Sequence, residues 1–300
     1  MSNADLYVSQ SNVFNGIQRP LEKSKYVILG VPFDATSTYR TGARFGPNAI
    51  RQASLNIETF SFRSNFDSEN LPLIDLGDLH VSSDAKKTLD MLSLVCRELF
   101  EKEKLPITIG GEHTLTLGVL KGLKSRSKKT ALVVFDAHLD MRKEFLGLNL
   151  SHTTFMRLIN ENIKPATIIE VGTRAICEEE LNYSKKNGIE IITSNQIRKK
   201  GCNEVKNEIK KAISSYDNIY LSVDMDVLDP AYAPGVQNPE PEGIETYRLL
   251  DIVCSLCDNR TIGFDIVEVT PIYDNGISAI TASKIILEIL CALENNRQLS

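Results

Sequence analysis

Eight short apolar runs recur along the chain: YVILGV (26–31), LPLIDLG (71–77), LPITIG (105–110), ALVVF (131–135), ATIIEVG (166–172), IEIIT (189–193), IYLSVD (219–224) and TIGFDIVEV (261–269). Runs this short and this continuously apolar read as strands buried on both faces. Between most of them lie helical patterns, such as AKKTLDMLSLVCRELFEKEK (85–104) and NEVKNEIKKAISSY (203–216). Strand and helix alternating at this spacing imply right-handed crossovers and one mostly parallel sheet covered on both faces. An eight-stranded barrel is the rival arrangement. No Pro/Gly/Ser-rich linker or abrupt charge shift interrupts the pattern, so a single domain over residues 1–300 is expected.

Composition narrows the function classes. Apolar residues make up 42% and charged residues 24% of the 300, an ordinary globular balance with enough chain for a sizeable core. The formal charge is −5 and there is no basic tail, so no nucleic-acid partner is expected. The KSRSKK segment (124–129) reads as a solvated turn before a strand. No signal-peptide pattern and no run of roughly 18 apolar residues is present, which excludes a membrane partner and makes a cytoplasmic location the expectation. Cys254 and Cys257 have Cys-x-x-Cys spacing, but they sit in the helical pattern YRLLDIVCSLC. Without a second pair, buried thiols are the better reading than zinc or redox chemistry.

Three of the apolar runs end in groups that are costly to bury alone: GGEH (110–113), DAHLD (136–140) and SVDMDVLDP (222–230). Parallel sheets place ligands beyond the carboxyl ends of their strands, so these exits are expected to meet at one edge. Alternate residues of an extended segment face the same way, bringing Asp136, His138 and Asp140 together, and likewise Asp224 and Asp226. With His113 the set holds four carboxylates and two imidazoles. Packed without cations, the carboxylates would repel and raise one another's pKa values. Divalent metal removes that penalty, six side chains suffice for two ions, and an oxygen-rich set with some imidazole favours Mn²⁺ over structural zinc.

Two further residues stand out. His152 in NLSHTTF follows Asp140 by twelve positions, close enough to return over a metal site as a proton shuttle or as a structural histidine. Glu268, flanked by valines in GFDIVEVTP, could pair with an internal arginine or bind a cationic substrate. The glycines of TIGGE allow backbone to come close to a ligand. No GxGxxG or GxxxxGK[ST] loop supports nucleotide binding.

Together GGEH, DAHLD and SVDMDVLDP, with VPFD and YRTGARFGPNAIR near the start and DIVEVTPIYD near the end, resemble the ureohydrolase family of arginases and agmatinases, most of all the archaeal-type agmatinases. The resemblance implies a three-layer αβα sandwich with a parallel, usually eight-stranded sheet and two Mn²⁺ ions. Carried over through the matching motifs, His113, Asp136, Asp140 and Asp224 would hold one ion. Asp136, His138, Asp224 and Asp226 would hold the other, with Asp136 and Asp224 bridging. The family pattern places a proton-transfer histidine at His152 and a guanidinium-binding acid at Glu268, and Asp226 doubles as a hydrogen-bond acceptor for the attacking water. It also implies a homotrimer or homohexamer.

The chain departs from the family pattern in GGEHT for GGDHS, PGVQNPEPEG (234–243) for PGTGTPEPGG, and SHTTF for SHGTPF. No ligand is missing, so the departures bear on substrate-tail recognition rather than metal binding. The implied reaction is hydrolysis of a small cationic guanidino substrate to urea and an amine. Agmatine is the first expectation, through DAHLDMRKEFLGLNLSH and DPAYAPG. Arginine is the runner-up, with Arg142 or Lys143 available to a carboxylate, followed by guanidinobutyrate and aminopropylagmatine. A noncatalytic scaffold is the competing class, and the intact ligand set argues against it.

Overall fold

The computed structural model describes residues 2–9 and 12–298. Its strands are β1 (Val8–Ser9), β2 (Tyr26–Val31), β3 (Phe60–Ser61), β4 (Phe66–Asp67), β5 (Leu73–Leu79), β6 (Leu105–Gly110), β7 (Thr130–Phe135), β8 (Thr167–Thr173), β9 (Glu190–Thr193), β10 (Asn218–Asp224) and β11 (Thr261–Val267). All eight apolar runs are strands. They pair in parallel in the order β5-β2-β6-β11-β10-β7-β8-β9, an open sheet rather than a barrel. Tiny β1 adds antiparallel to the β5 edge, and β3 and β4 form a separate ribbon. No sequence pattern marks β1, because two residues carry no periodicity.

Alternation within each strand feeds two cores. Tyr26 and Ile28 belong to one apolar cluster with Val133, Leu221 and Phe264, covered by the helices Thr246–Ser255 and Ile277–Gln298. Val27 and Leu29 belong to the other with Leu132, Val134 and Tyr220, covered by the helices Ala85–Glu101 and Leu115–Gly122. Both faces are therefore dry, which is why the strands read as continuous apolar runs and the architecture is a three-layer αβα sandwich. The KSRSKK segment is a 3₁₀ helix, Lys124–Lys129, running into β7 rather than a simple turn. Cys254 and Cys257 are free and buried, as expected.

The YRTGARFGPNAIR segment contributes an anchor. Fully buried Arg51, on the helix Gly46–Ser54, donates to both oxygens of buried Asp75 on β5 at 2.7 and 2.9 Å, and reaches Asp78 at 2.5 Å. Removing one partner of such a pair leaves a buried charge uncompensated, so this arginine belongs to the scaffold rather than the site.

One buried carboxyl group has no such partner. Glu170 on β8 is fully buried, and neither carboxyl oxygen has a hydrogen-bond partner among the described residues. Burial first, then the nearby charge of Asp136, pushes its pKa well above the carboxylate range. The folded protein thus keeps a proton that the unfolded chain releases above about pH 4.3. Stability from this group is complete below that pH and declines by about 1.4 kcal/mol per pH unit until the folded group ionises. Glu170→Gln keeps the size and removes the slope. Its melting temperature is expected to exceed the wild type by a margin that widens from pH 5 to 8; a margin that shrinks with pH would mean that Glu170 is ionised and compensated in the folded state.

Candidate active site

Four adjacent central strands, β6, β11, β10 and β7, deliver the polar exits to one edge of the sheet. The chain steps from β6 to β7 and leaves a gap that β10 and β11 later fill, so successive connections diverge there. Such a switch point is where open parallel sheets form a crevice. The TIGGE glycines serve this assembly differently from the sequence expectation. A Cβ on Gly111 would stand 1.8 Å from the Phe33 carbonyl oxygen, so the close approach is to the 31–33 backbone and not to a ligand. Gly111 and Glu112 donate their N–H groups to the carbonyls of Val31 and Phe33 at 2.9 and 2.7 Å.

Each of three acids pins one oxygen and presents the other. Asp136 Oδ1 accepts the His138 N–H at 2.6 Å, while Oδ2 lies 3.0 Å from His113 Nδ1. Asp224 Oδ1 accepts the Asp226 N–H at 2.8 Å, while Oδ2 lies 3.2 Å from the same Nδ1. Asp226 Oδ1 accepts the Ala137 N–H at 3.1 Å, while Oδ2 lies 3.0 Å from His138 Nδ1. Asp140 reaches within 3.8 Å of His113 Nδ1 from a left-handed backbone, φ 51°. Such φ values persist in a non-glycine residue only where the surroundings hold them, commonly at functional sites.

His113 is oriented from behind. Ser222 Oγ donates to Asp265 Oδ1 at 2.6 Å, so its contact with His113 Nε2 at 2.8 Å requires the imidazole to donate from Nε2. In the neutral imidazole that a cation would bind, this assignment leaves Nδ1 bare, and this buried atom has no hydrogen-bond partner among the described residues. A bare imidazole nitrogen facing three carboxylates, with its other nitrogen tied to a hydroxyl–carboxylate pair, is the arrangement of a metal ligand. Donor atoms of His113, Asp136 and Asp140 lie within 4.8 Å of one another, as do those of Asp136, His138 and Asp226. Asp136 is common to both groups. Asp224 stands beside His113 but joins neither compact group.

Electrostatics agree with that fit. Burial, then the negative charge around them, pushes Asp140 and Asp224 well above the carboxylate range. Burial also opposes ionisation of Asp136, but the imidazoles of His113 and His138 outweigh it and hold Asp136 below that range. His113, against its own burial, is pushed up to about 9 by Asp136, Asp140 and Asp265. The cluster by itself therefore retains protons, and divalent cations would take their place.

The donors open into a cleft of about 380 Å³ whose wall includes His138, Asp226, Glu268, His152, Arg142 and Glu240. Glu268, with φ 70°, pairs with no arginine among the described residues. Its Oε1 accepts the His113 N–H at 2.6 Å and its Oε2 accepts the Gln237 amide, so the acid is fixed against the donor cluster. His152 is buried, with Nε2 3.1 Å from Thr38 Oγ1. Burial lowers its pKa to about 4, and His138 and His113 act in the same direction. Arg142 faces the cleft with its guanidinium 5.0 Å from the Phe145 ring, whereas Lys143 is exposed and its N–H bonds Glu179.

Three contributors had no signal in the sequence reading. Gln237 lies in the segment that departs from the family pattern, and its partner is 31 positions away. The Ser222–Asp265 pair behind His113 is hidden in two strand interiors. Arg174 donates to the carbonyls of Asp226 and Glu240, each at 2.7 Å, and ties two walls of the cleft together.

Residues 24–292 match the family model described as Arginase, the arginase family. The chain is 35% identical to an agmatinase of Halalkalibacterium halodurans, over 90% of this chain and 92% of that one. It is 33% identical to the N(1)-aminopropylagmatine ureohydrolase of Thermococcus kodakarensis, over 91% and 92%. The crystal structure of the agmatine ureohydrolase of Thermoplasma volcanium superposes with a TM-score of 0.88 at 31% identity, covering 97% of each chain.

Proposed function

The chain belongs to the arginase family, as an amidinohydrolase acting on a linear guanidino group, and on that premise we propose that it hydrolyses agmatine to putrescine and urea with two Mn²⁺ ions. The observation that carries this reading is Glu268, a buried carboxylate fixed on the wall of the cleft that also holds His138 and Asp226. His113, Asp136, Asp140 and Asp224 would hold one ion, and Asp136, His138, Asp224 and Asp226 would hold the other. The two compact donor groups support Asp136 as the shared ligand. A pair of divalent ions supplies water of lowered pKa and a fixed direction of attack on an otherwise poor electrophile.

The chain's own groups do the rest. Glu268 accepts the N–H groups of the planar guanidinium and sets its carbon against the donor cluster. Asp226 Oδ2 faces the cluster and accepts a hydrogen bond from the attacking water. His152, a neutral imidazole at pH 7, relays a proton to the departing amine rather than serving as a standing acid. The chain acts as one catalytic domain and assembles as a homotrimer or homohexamer in the cytoplasm. Among the described residues no helix is long and apolar enough to cross a membrane.

A second reading concerns only the substrate's tail. The likeness to an N(1)-aminopropylagmatine ureohydrolase supports a longer cationic tail. Arg142 at the cleft supports the carboxylate of arginine or guanidinobutyrate. Elemental analysis beside a urea assay on all four compounds tests the whole reading. Two manganese ions per chain and the largest kcat/KM for agmatine are expected. A larger kcat/KM for another compound replaces the substrate, and manganese-loaded protein releasing no urea from any of the four overturns the reaction.

A further inference from the structure

Glu112 precedes His113, and its hydrogen bonds among the described residues go to Thr36 and Thr114 rather than to a metal-donor side chain. It is fully buried, and three donors converge on its carboxylate. Thr36 supplies two, its N–H to Oε2 at 2.8 Å and its hydroxyl to Oε1 at 2.6 Å. Thr114 supplies the third, its hydroxyl to Oε1 at 2.6 Å. The strand exit that carries His113 is thereby bonded to the loop after β2, 76 positions earlier.

That loop contacts His152 at three points. Thr36 Oγ1 accepts the His152 N–H at 3.0 Å and lies 3.4 Å from Nδ1, while Thr38 Oγ1 lies 3.1 Å from Nε2. A hydroxyl has one proton to donate, and that of Thr36 is committed to Glu112. Its remaining lone pairs can only accept, so the imidazole presents N–H at Nδ1. Nε2 is then the acceptor, and the Thr38 hydroxyl donates to it.

We infer that Glu112 is a positioning residue for the hydrolysis, acting through Thr36 to fix the tautomer and the seat of His152 beside the cleft. The inference rests on the proton-relay role proposed above for His152. Glutamine at 112 would turn an N–H toward Thr36 and free its hydroxyl proton to swing to Nδ1, which would reverse the tautomer and remove the acceptor at Nε2. A relay whose imidazole carries its proton on the wrong nitrogen loses rate rather than binding.

The test uses the manganese-loaded protein and four single variants, Glu112→Gln, Thr36→Val, Thr36→Ser and His152→Asn, with the double variant Glu112→Gln/His152→Asn. Thr36→Val removes the hydroxyl without altering the segment that carries His113, and guards against a folding or metal defect from substitution at position 112. Glu112→Gln and Thr36→Val are expected to lower kcat at least tenfold, with KM for agmatine within about twofold and two ions retained. Thr36→Ser, which restores the hydroxyl, should recover most of the loss. The double variant should be no slower than His152→Asn alone, because residues acting as one unit are not additive. Wild-type turnover in Thr36→Val, or losses that multiply in the double variant, would overturn the inference while leaving the relay role intact. Undiminished turnover in His152→Asn would instead remove the relay role, and the inference with it.

Discussion

Asp136→Asn is expected to leave fewer than two manganese ions per chain and to lower urea release from agmatine by about 10³-fold or more, equivalent to about 4 kcal/mol. Asp136 is the one residue common to both compact donor groups. Its Oδ1 is occupied by the His138 N–H and its Oδ2 faces His113 Nδ1, so neither position tolerates an amide nitrogen. Turned one way, the new NH₂ opposes the His138 N–H, donor against donor. Turned the other way, it points hydrogens at the space between the donors where a cation needs a lone pair. The loss of charge compounds both. Asp224→Asn is expected to follow in the same direction with a smaller fall in occupancy, since Asp224 joins neither compact group. Elemental analysis and the urea assay on one preparation decide the matter. Two tightly held ions and full turnover in Asp136→Asn would remove the shared-ligand assignment.

Glu268→Gln separates substrate binding from scaffold. As the clamp for the guanidinium, Glu268 orients the reacting carbon, so its loss penalises the transition state as well as the ground state. A fall in kcat/KM for agmatine of about 10²-fold is expected, equivalent to about 3 kcal/mol, with both ions retained. The neighbourhood can absorb the substitution. Gln237 Oε1 is buried and has no partner among the described residues, so a flip of that amide would offer an acceptor to the new NH₂. The bond from the His113 N–H can pass to the remaining oxygen. Melting temperature and metal content should therefore stay close to wild type. Their loss alongside activity would assign Glu268 to holding the 111–113 segment, and near-normal turnover would remove the clamp.

Much of this site is legible before any folding is considered. A strand buried on both faces has to be apolar, and a carboxylate can follow it only where something at the sheet's edge compensates the charge. DAHLD, SVDMD and GGEH announce both facts locally, and alternation along an extended segment decides which of their side chains face together. The same reasoning fails for β1, which is too short for a pattern, and for Glu170, whose unpartnered carboxyl group inside ATIIEVG reads as another strand residue.

What the sequence determined by itself was the set of eight strands, the helical cover on both faces, and the chemistry waiting at three strand ends, because period and burial are properties of neighbouring residues. The tertiary structure decided the order β6-β11-β10-β7 that makes those ends adjacent, the pinning of Asp226 by the Ala137 amide, and the distant partners of Glu112, Glu268 and His152. Those contacts join positions separated by 31 to 155 residues. A hydrogen bond depends on distance and direction in space, and no local period encodes which distant loop will bring the matching donor.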